Sequence, residues 1–251
     1  MYPLIPKAWW VWAVAIISLI AIFAASQAEY YGLVIAATRV ASTLAGILVF
    51  AATIFGGSYY YAPWRFFWRL IPALNKIVFP DLNGVWIGST NSNWPTIQKM
   101  LEAAQAYRPI NLAELEAIKP REDAIAVEIR ASLFSLKIFV AASATYGQSH
   151  SLIAHPRRDP DSEKLFVTNV YRQSVPNHQP TDEASHLGAA DLQISSDDHT
   201  SIEGEYWTRR KWQLGLNTAG RIKLKRISDK RQPKKDLMTY ALEKRGGLSK
   251  L

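Results

Sequence analysis

The stretch FPDLNGVWIGST, residues 79–90, decides the fold of the chain. Its Pro-Asp-Leu-Asn-Gly segment is a turn signal, and the Val-Trp-Ile run that follows has the character of a β-strand. After this stretch, short runs with alternating apolar residues are separated by further turn signals. The pattern predicts eight strands, at residues 82–90, 124–132, 134–143, 148–155, 164–172, 187–195, 201–209 and 221–227. Eight strands with mostly short connections predict a small up-and-down β-barrel, whose interior is filled by side chains or holds one small ligand.

Two apolar runs precede the predicted barrel, at residues 8–25 and 33–55. The first has 18 residues without a charge, which is just enough to cross the roughly 30 Å hydrocarbon core of a bilayer. A cleaved signal peptide is the alternative for this run, but a second apolar run so close behind it argues against a secreted protein. The fold class predicted for the whole chain is therefore membrane α plus all-β, with two N-terminal transmembrane helices, joined by the short link 26–32, followed by the barrel.

The basic residues that flank the two runs predict the orientation in the membrane. Arg65, Arg69 and Lys76 follow the second run, and Lys7 precedes the first. Since such residues collect on the cytoplasmic side, we expect both termini in the cytoplasm. Residues 63–72 mix aromatic and basic residues, which predicts a segment lying along the inner headgroups.

Arg39 is the one charge within the second run. An arginine near a helix end commonly extends its guanidinium to the membrane surface. The alternative is a polar contact between subunits, which the many small residues of this run would permit because they allow helices to approach closely. Both interpretations remain open from the sequence.

The chain divides into three predicted segments. Residues 1–75 form the transmembrane hairpin and its exit segment, residues 76–228 form a cytoplasmic barrel, and residues 229–251 form a basic tail. Helix-forming residues at 95–117 predict an insertion that plugs or covers one barrel end. Residues 173–185 are polar and predict an exposed loop. For the tail we expect disorder, with attachment to anionic lipid as the alternative.

The composition excludes several classes of function. The chain has no cysteine, so disulfides and thiolate metal sites are excluded. It contains no GxSxG, no HExxH and no phosphate-binding glycine loop with its lysine, and its histidines and carboxylates lack metal-ligand spacing. We therefore expect no enzymatic activity, no metal and no cofactor. The net charge of +8 suits a partner that carries phosphate, although a basic soluble surface would give the same value.

The candidate ligand contacts lie on the predicted strands. Tyr206 and Thr208 share one strand face, and Arg209 lies on the other, so all three reach the interior only if the strand contains a bulge. Arginine suits phosphate because its planar fork donates two parallel hydrogen bonds, and an aromatic ring beside it can stack on a base. These three residues are the first candidates for contact with a nucleotide-sized anion, and Arg130, Asn169 and Tyr171 are the second.

Several motifs carry a resemblance to known families. The Gly84-Val85-Trp86 opening resembles that of lipocalin-type barrels, in which the tryptophan closes the barrel floor against an arginine of the last strand; here Arg221 or Arg226 would fill that role. The two N-terminal helices, PDLNGVWIGST, IRASLFSLKI and GEYWTRR…LNTAGRIKLKR resemble the two-transmembrane, β-strand-rich effectors of CBASS antiphage systems.

This resemblance implies a mechanism. A cyclic dinucleotide made by a cGAS/DncV-like nucleotidyltransferase would bind the barrel, drive self-association of the chain and cluster its helices. The inner membrane would then be disrupted and the infected cell would die, as in abortive infection. Under this interpretation the partners are the cyclic dinucleotide, the lipid bilayer and further copies of the chain, and not a nucleic acid polymer.

Two other classes of function stay open from the sequence. One is a membrane-anchored, lipocalin-like carrier or sensor of a hydrophobic ligand, which predicts a pocket without functional arginines. The other is a structural membrane protein whose filled barrel only docks partners.

Overall fold

The computed structural model describes residues 7–26, 32–58, 60–176 and 178–248. The chain forms two compact units. The first contains Met1–Asp81 and Ala131–Ser135, and the second contains Leu82–Arg130 and Leu136–Leu251.

The first unit is helical. Its helices are α1 (Lys7–Ser26), α2 (Leu33–Gly56), α3 (Pro63–Leu70) and α4 (Ala73–Ile77), and α1 contacts α2. Among the described residues, one stretch, Ala37–Gly56, is long and apolar enough to be a candidate membrane span. This stretch lies largely within the second predicted span, so a pair of transmembrane helices stays a prediction. Most of the predicted link, at residues 27–31, lies outside the described residues. Arg39 is exposed on α2.

The α3 helix begins at Pro63, which suits the first helical turn because proline fixes a helical φ and lacks an N–H that would need a partner. One face of α3 is buried. There the rings of Trp64 and Trp68 meet edge to face, and Arg65 Nε donates to Asp81 Oδ2 at 2.7 Å. The opposite face exposes Phe66, Phe67 and Leu70. The segment predicted to lie along headgroups thus has an exposed apolar face, while Arg65 is turned inward to an ion pair.

The second unit contains the barrel. Its strands, all within three residues of the predicted bounds, are β1 (Gly84–Ser92), β2 (Arg121–Ala131), β3 (Leu136–Ala142), β4 (Gly147–Arg158), β5 (Leu165–Ser174), β6 (Ser185–Ile194), β7 (Ser201–Thr208) and β8 (Ala219–Ser228). They are joined in sequence order into a closed barrel, with β8 pairing antiparallel to β1. The predicted eight-stranded barrel is confirmed.

Trp86 fills one end of the barrel. Its side chain is fully buried, and its Nε1 donates to Leu82 O at 3.1 Å. The Arg226 guanidinium lies 5.8 Å from the ring centroid and donates to Asn83 O. Arg221, the other candidate for this contact, is exposed on the outer face and lies 3.9 Å from Glu205. The reason is strand alternation, since residues five apart on β8 point to opposite faces.

α-Helices accompany the strands at two points of the second unit, and a short 3-10 helix (Trp212–Leu214) lies between β7 and β8. The insertion between β1 and β2 forms α5 (Trp94–Gln105) and α6 (Leu112–Glu116). In the basic tail, α7 (Leu237–Leu248) packs Tyr240 and Ala241 onto Val85, Ala126 and Ala141 of the outer barrel face. The expectation of a disordered tail was therefore wrong for this helix, because Tyr240 and Ala241 cover an apolar patch of β1 to β3.

Candidate functional site

The barrel contains a cavity of about 170 Å³. Aliphatic side chains line one part of it, including Ile125, Val127, Ile138, Leu192, Ile222 and Leu224. Polar side chains lie at the end opposite Trp86, where β1 and β5 end and β2 begins. We call this end the mouth; its lining includes Ser92, Arg121, Gln173, Asp182, His186 and Arg210. The cavity thus combines an apolar interior with a polar entrance, which is typical of small-molecule sites.

Four of the six predicted contact residues line this cavity: Asn169, Tyr171, Tyr206 and Thr208. Asn169 is only 3% exposed, and its Oδ1 has no hydrogen-bond partner within the described part of the chain. Tyr171 fits against Gly188, where a Cβ would come within 2.4 Å of the tyrosine Cζ. Burial raises the pKa of the Tyr171 phenol, so this hydroxyl remains protonated at neutral pH.

Tyr206 and Thr208 are held by neighbouring strands. Burial raises the pKa of Tyr206, and a hydrogen bond with Ser92 acts in the opposite direction. The Thr208 hydroxyl lies 3.0 Å from the Thr218 hydroxyl and accepts from Thr218 N at 3.0 Å. Thr208 therefore secures the start of the β7–β8 connection, while the Tyr206 ring is the larger surface that faces the cavity.

Arg210 is the cation at the mouth with the most protein contacts. Its guanidinium lies 4.4 Å from the Trp94 ring centroid, its Nε donates to Leu216 O at 3.2 Å, and its Nη1 is 3.6 Å from Asp182 Oδ2. Its Nη2 is buried and has no hydrogen-bond partner among the described residues. Arg210 thus contacts residues from three connections between the strands: Trp94 after β1, Asp182 before β6 and Leu216 after β7. The arrangement leaves an N–H group ready to donate to a ligand.

His186 lies beside this cluster. The imidazole is buried, with its Nδ1 3.8 Å from Asp182 Oδ1. Burial lowers the pKa of His186, the Asp182 and Glu183 carboxylates act against that change, and Arg210 acts with it. His186 is therefore neutral at pH 7. Asp182 belongs to the loop predicted to be exposed, and that prediction was wrong for this residue, which is buried against Arg210 and His186.

A second ion pair lies at the mouth. Arg121 Nε donates to Asp123 Oδ1 at 3.1 Å, and both residues line the cavity. The two arginines of the mouth are thus each close to one carboxylate, which leaves the lining without a large net charge. An anionic ligand would therefore depend on specific donors and not on a diffuse positive field.

The other two predicted contacts lie on the outer face. Arg209 is exposed and lines a shallow outer groove with Arg172 and Trp212. Arg130 pairs with Glu128 at 3.0 Å and lies over the Phe139 ring. Both placements follow because successive side chains along a strand point alternately to the inside and the outside of the barrel. The same alternation, continued two residues past Thr208, points to Arg210 as the inward arginine, and this was the signal that sequence reasoning missed.

A metal site is not apparent in this geometry. Within residues 7–26, 32–58, 60–176 and 178–248, no group of three or more histidine or carboxylate side chains is placed to hold an ion.

The region of the chain that is similar to known proteins includes much of the cavity lining. Residues 116–226, which span β2 to most of β8, match the family model described as Cap15, cyclic dinucleotide receptor domain. The chain is also 30% identical over 164 residues to CD-NTase-associated protein 15 of Escherichia albertii, and the match covers 64% of this chain and 69% of that protein. The chain belongs to the CD-NTase-associated protein 15 family. The resemblance to CBASS effectors is thereby confirmed, and the matched segment of the Cap15 domain contains Asn169, Tyr171, His186, Tyr206 and Arg210.

Proposed function

We propose that this chain is a CBASS effector whose barrel cavity binds a cyclic dinucleotide. The observation that carries the proposal is the buried Arg210 Nη2, an unpaired cationic donor at the mouth of a cavity that lies within the matched receptor domain. A phosphate oxygen would satisfy this donor and would add a charge-assisted hydrogen bond. Tyr206 and Tyr171 would contact the sugar or base beyond it.

The lipid-carrier alternative is less consistent with the same cavity. Its aliphatic lining suits a hydrophobic ligand, but such a ligand would leave Arg210 Nη2 unpaired and would cover His186 and Asp182 with apolar groups. Burying polar groups without partners costs free energy. The polar mouth therefore favours a ligand that carries phosphate.

Binding would be coupled to the membrane through self-association. A ligand drives assembly only through a higher affinity for the assembled state, and confinement of the chains to a membrane raises their effective concentration. We propose that clustering of the barrels brings the N-terminal helices together and that the clustered helices disrupt the inner membrane. The candidate span Ala37–Gly56 and the exposed apolar face of α3 support contact with lipid.

Calorimetry of the full chain in lipid nanodiscs tests the binding step. Cyclic dinucleotides would be titrated into the wild-type chain, Arg210→Ala and Arg209→Ala. Hydrogen bonds to charged groups contribute about 1.5–3 kcal/mol, so we expect Arg210→Ala to weaken binding roughly 10- to 150-fold. The matched control Arg209→Ala, one residue away on the outer face, should bind within about twofold of wild type. Equal affinity of all three proteins would contradict the role of Arg210, and no binding to wild type would contradict the proposed function.

A further inference from the structure

Asn169 is a polar side chain whose Oδ1 atom lies where no protein group donates a hydrogen bond to it within the described part of the chain. In the strand register it is paired with Ala154 of β4 and Ala190 of β6, so small residues flank it on both sides. It lines the cavity, is almost fully buried, and its Oδ1 has no partner within the described part of the chain. A buried carbonyl oxygen without a partner costs free energy unless a bound molecule donates a hydrogen bond to it.

The space beside Asn169 limits what that molecule can be. The whole cavity is about 170 Å³, and in another protein a cavity of about 150 Å³ holds one benzene ring. One heterocyclic base therefore fits inside, and two do not. A cyclic dinucleotide would place one base in the cavity and leave its phosphates and second base at the mouth, near Arg210.

A carboxamide recognises a base edge that presents a donor next to an acceptor. Asparagine pairs in this way with adenine, whose amino group donates to Oδ1 while a ring nitrogen accepts from Nδ2. Guanine would bring an additional carbonyl into a cavity whose lining is largely aliphatic, with side chains such as Val127, Ile138 and Leu192. Since unpaired polar groups penalise binding, the lining favours adenine over guanine.

We propose that Asn169 reads a single adenine of the ligand inside the cavity and that the second base stays outside it. This inference rests on the proposed function. It adds that the protein selects the identity of one of the two bases and not that of the other. One adenine suffices for tight binding, and the identity of the second base has little effect.

The test is a calorimetric panel on the full chain in nanodiscs. The probes are cyclic di-AMP, cyclic GMP–AMP, cyclic di-GMP and cyclic di-UMP. We expect the two adenine-containing ligands to bind within about threefold of each other and the other two to bind at least roughly tenfold more weakly, which is the discrimination that one good bidentate base contact provides.

Variants of Asn169 complete the test. Asn169→Leu should lower the affinity for cyclic di-AMP to that for cyclic di-GMP, and Asn169→Ala serves as a second variant if the leucine disturbs folding. The matched control is Gln193→Leu, which replaces another amide of the same sheet on the outer face and should keep the adenine preference.

Three outcomes would overturn the inference. They are a preference for cyclic di-GMP or cyclic di-UMP, a requirement for two adenines, and an adenine preference that survives in Asn169→Leu and Asn169→Ala. In each of these cases a cyclic dinucleotide still binds, so the proposed function stands. Failure of every probe to bind the wild-type chain would overturn both.

Discussion

At the residue scale, the mouth of the cavity depends on a neutral imidazole beside a guanidinium. His186 and Arg210 share Asp182, which lies 3.8 Å from His186 Nδ1 and 3.6 Å from Arg210 Nη1. Asp182 thus faces two groups that can both be cations. Protonation of His186 would place a second positive charge in a buried site that already holds one.

Acidification should therefore destabilise the barrel. Burial holds the pKa of His186 below the ordinary value of 6.5, so the unfolded chain takes up a proton first as the pH falls. The free energy of unfolding then decreases as the pH falls below about 6.5 and is independent of this group above that value. The measurement is the melting temperature of the detergent-solubilised full chain between about pH 7.5 and 5.5, where this change occurs.

His186→Gln should reduce the decrease in melting temperature. The control is His150→Gln, because His150 is exposed on β4 and its replacement should leave the pH dependence as in wild type. An identical pH dependence of the melting temperature in wild type and His186→Gln would show that His186 does not cause the destabilisation at low pH.

At the element scale, the segment that leads from α2 to β1 is organised around a buried ion pair. Arg65 on α3 is 1% exposed and contacts Asp81, which ends the N-terminal segment of the first unit. Trp68 Nε1 donates to Phe79 O at 2.8 Å and Asp81 N donates to Asn75 Oδ1 at 3.2 Å, so the chain after α4 is tied back onto α3. These contacts give the segment a defined conformation between the helices and the first strand.

Removal of one partner of this ion pair should loosen the segment. Asp81→Ala leaves the buried Arg65 guanidinium without its carboxylate, which typically costs about 3–5 kcal/mol. We expect faster chymotrypsin cleavage within residues 57–81, measured by mass spectrometry on the full chain in nanodiscs. Lys76→Ala, at an exposed position in the same segment, should be cleaved as wild type is, and an unchanged rate in Asp81→Ala would contradict the structural role of the pair.

Local patterns in the sequence predict the strands and part of the site. Alternation identifies all eight strands and groups Tyr206 with Thr208, and Asn169 with Tyr171, on one face of their strands; in the structure these faces line the cavity. Contacts between segments that are far apart in the sequence leave no such local pattern. Asp182 lies in a polar loop and is buried only because Arg210 arrives from the β7–β8 connection.

The tail and the insertion show the same limit. The α7 helix carries its apolar residues within a basic segment, and the patch that it covers is formed by three strands. Trp94 begins α5 as an ordinary apolar residue and reaches the cavity because the insertion starts where β1 ends. Such contacts become visible only once the register of the barrel is known.

At the scale of the whole molecule, the chain combines a candidate membrane span with a barrel that contains a ligand-sized cavity. Cyclic dinucleotide sensing is supported by the barrel cavity, by the unpaired Arg210 donor and Asn169 acceptor that line it, and by membership of the CD-NTase-associated protein 15 family. The candidate span and the apolar face of α3 support a site of action in the membrane. The central claim is that occupation of the cavity causes disruption of the bilayer.

Dye release from liposomes that contain the full chain tests this claim most directly. The wild-type chain, Arg210→Ala and the outer-face control Arg209→Ala would be reconstituted at equal density and exposed to increasing concentrations of cyclic di-AMP. We predict release that rises with ligand for wild type and Arg209→Ala, and that requires roughly 10- to 150-fold more ligand for Arg210→Ala, in proportion to its lost affinity. Release that is independent of ligand, or intact liposomes at saturating ligand, would contradict the account.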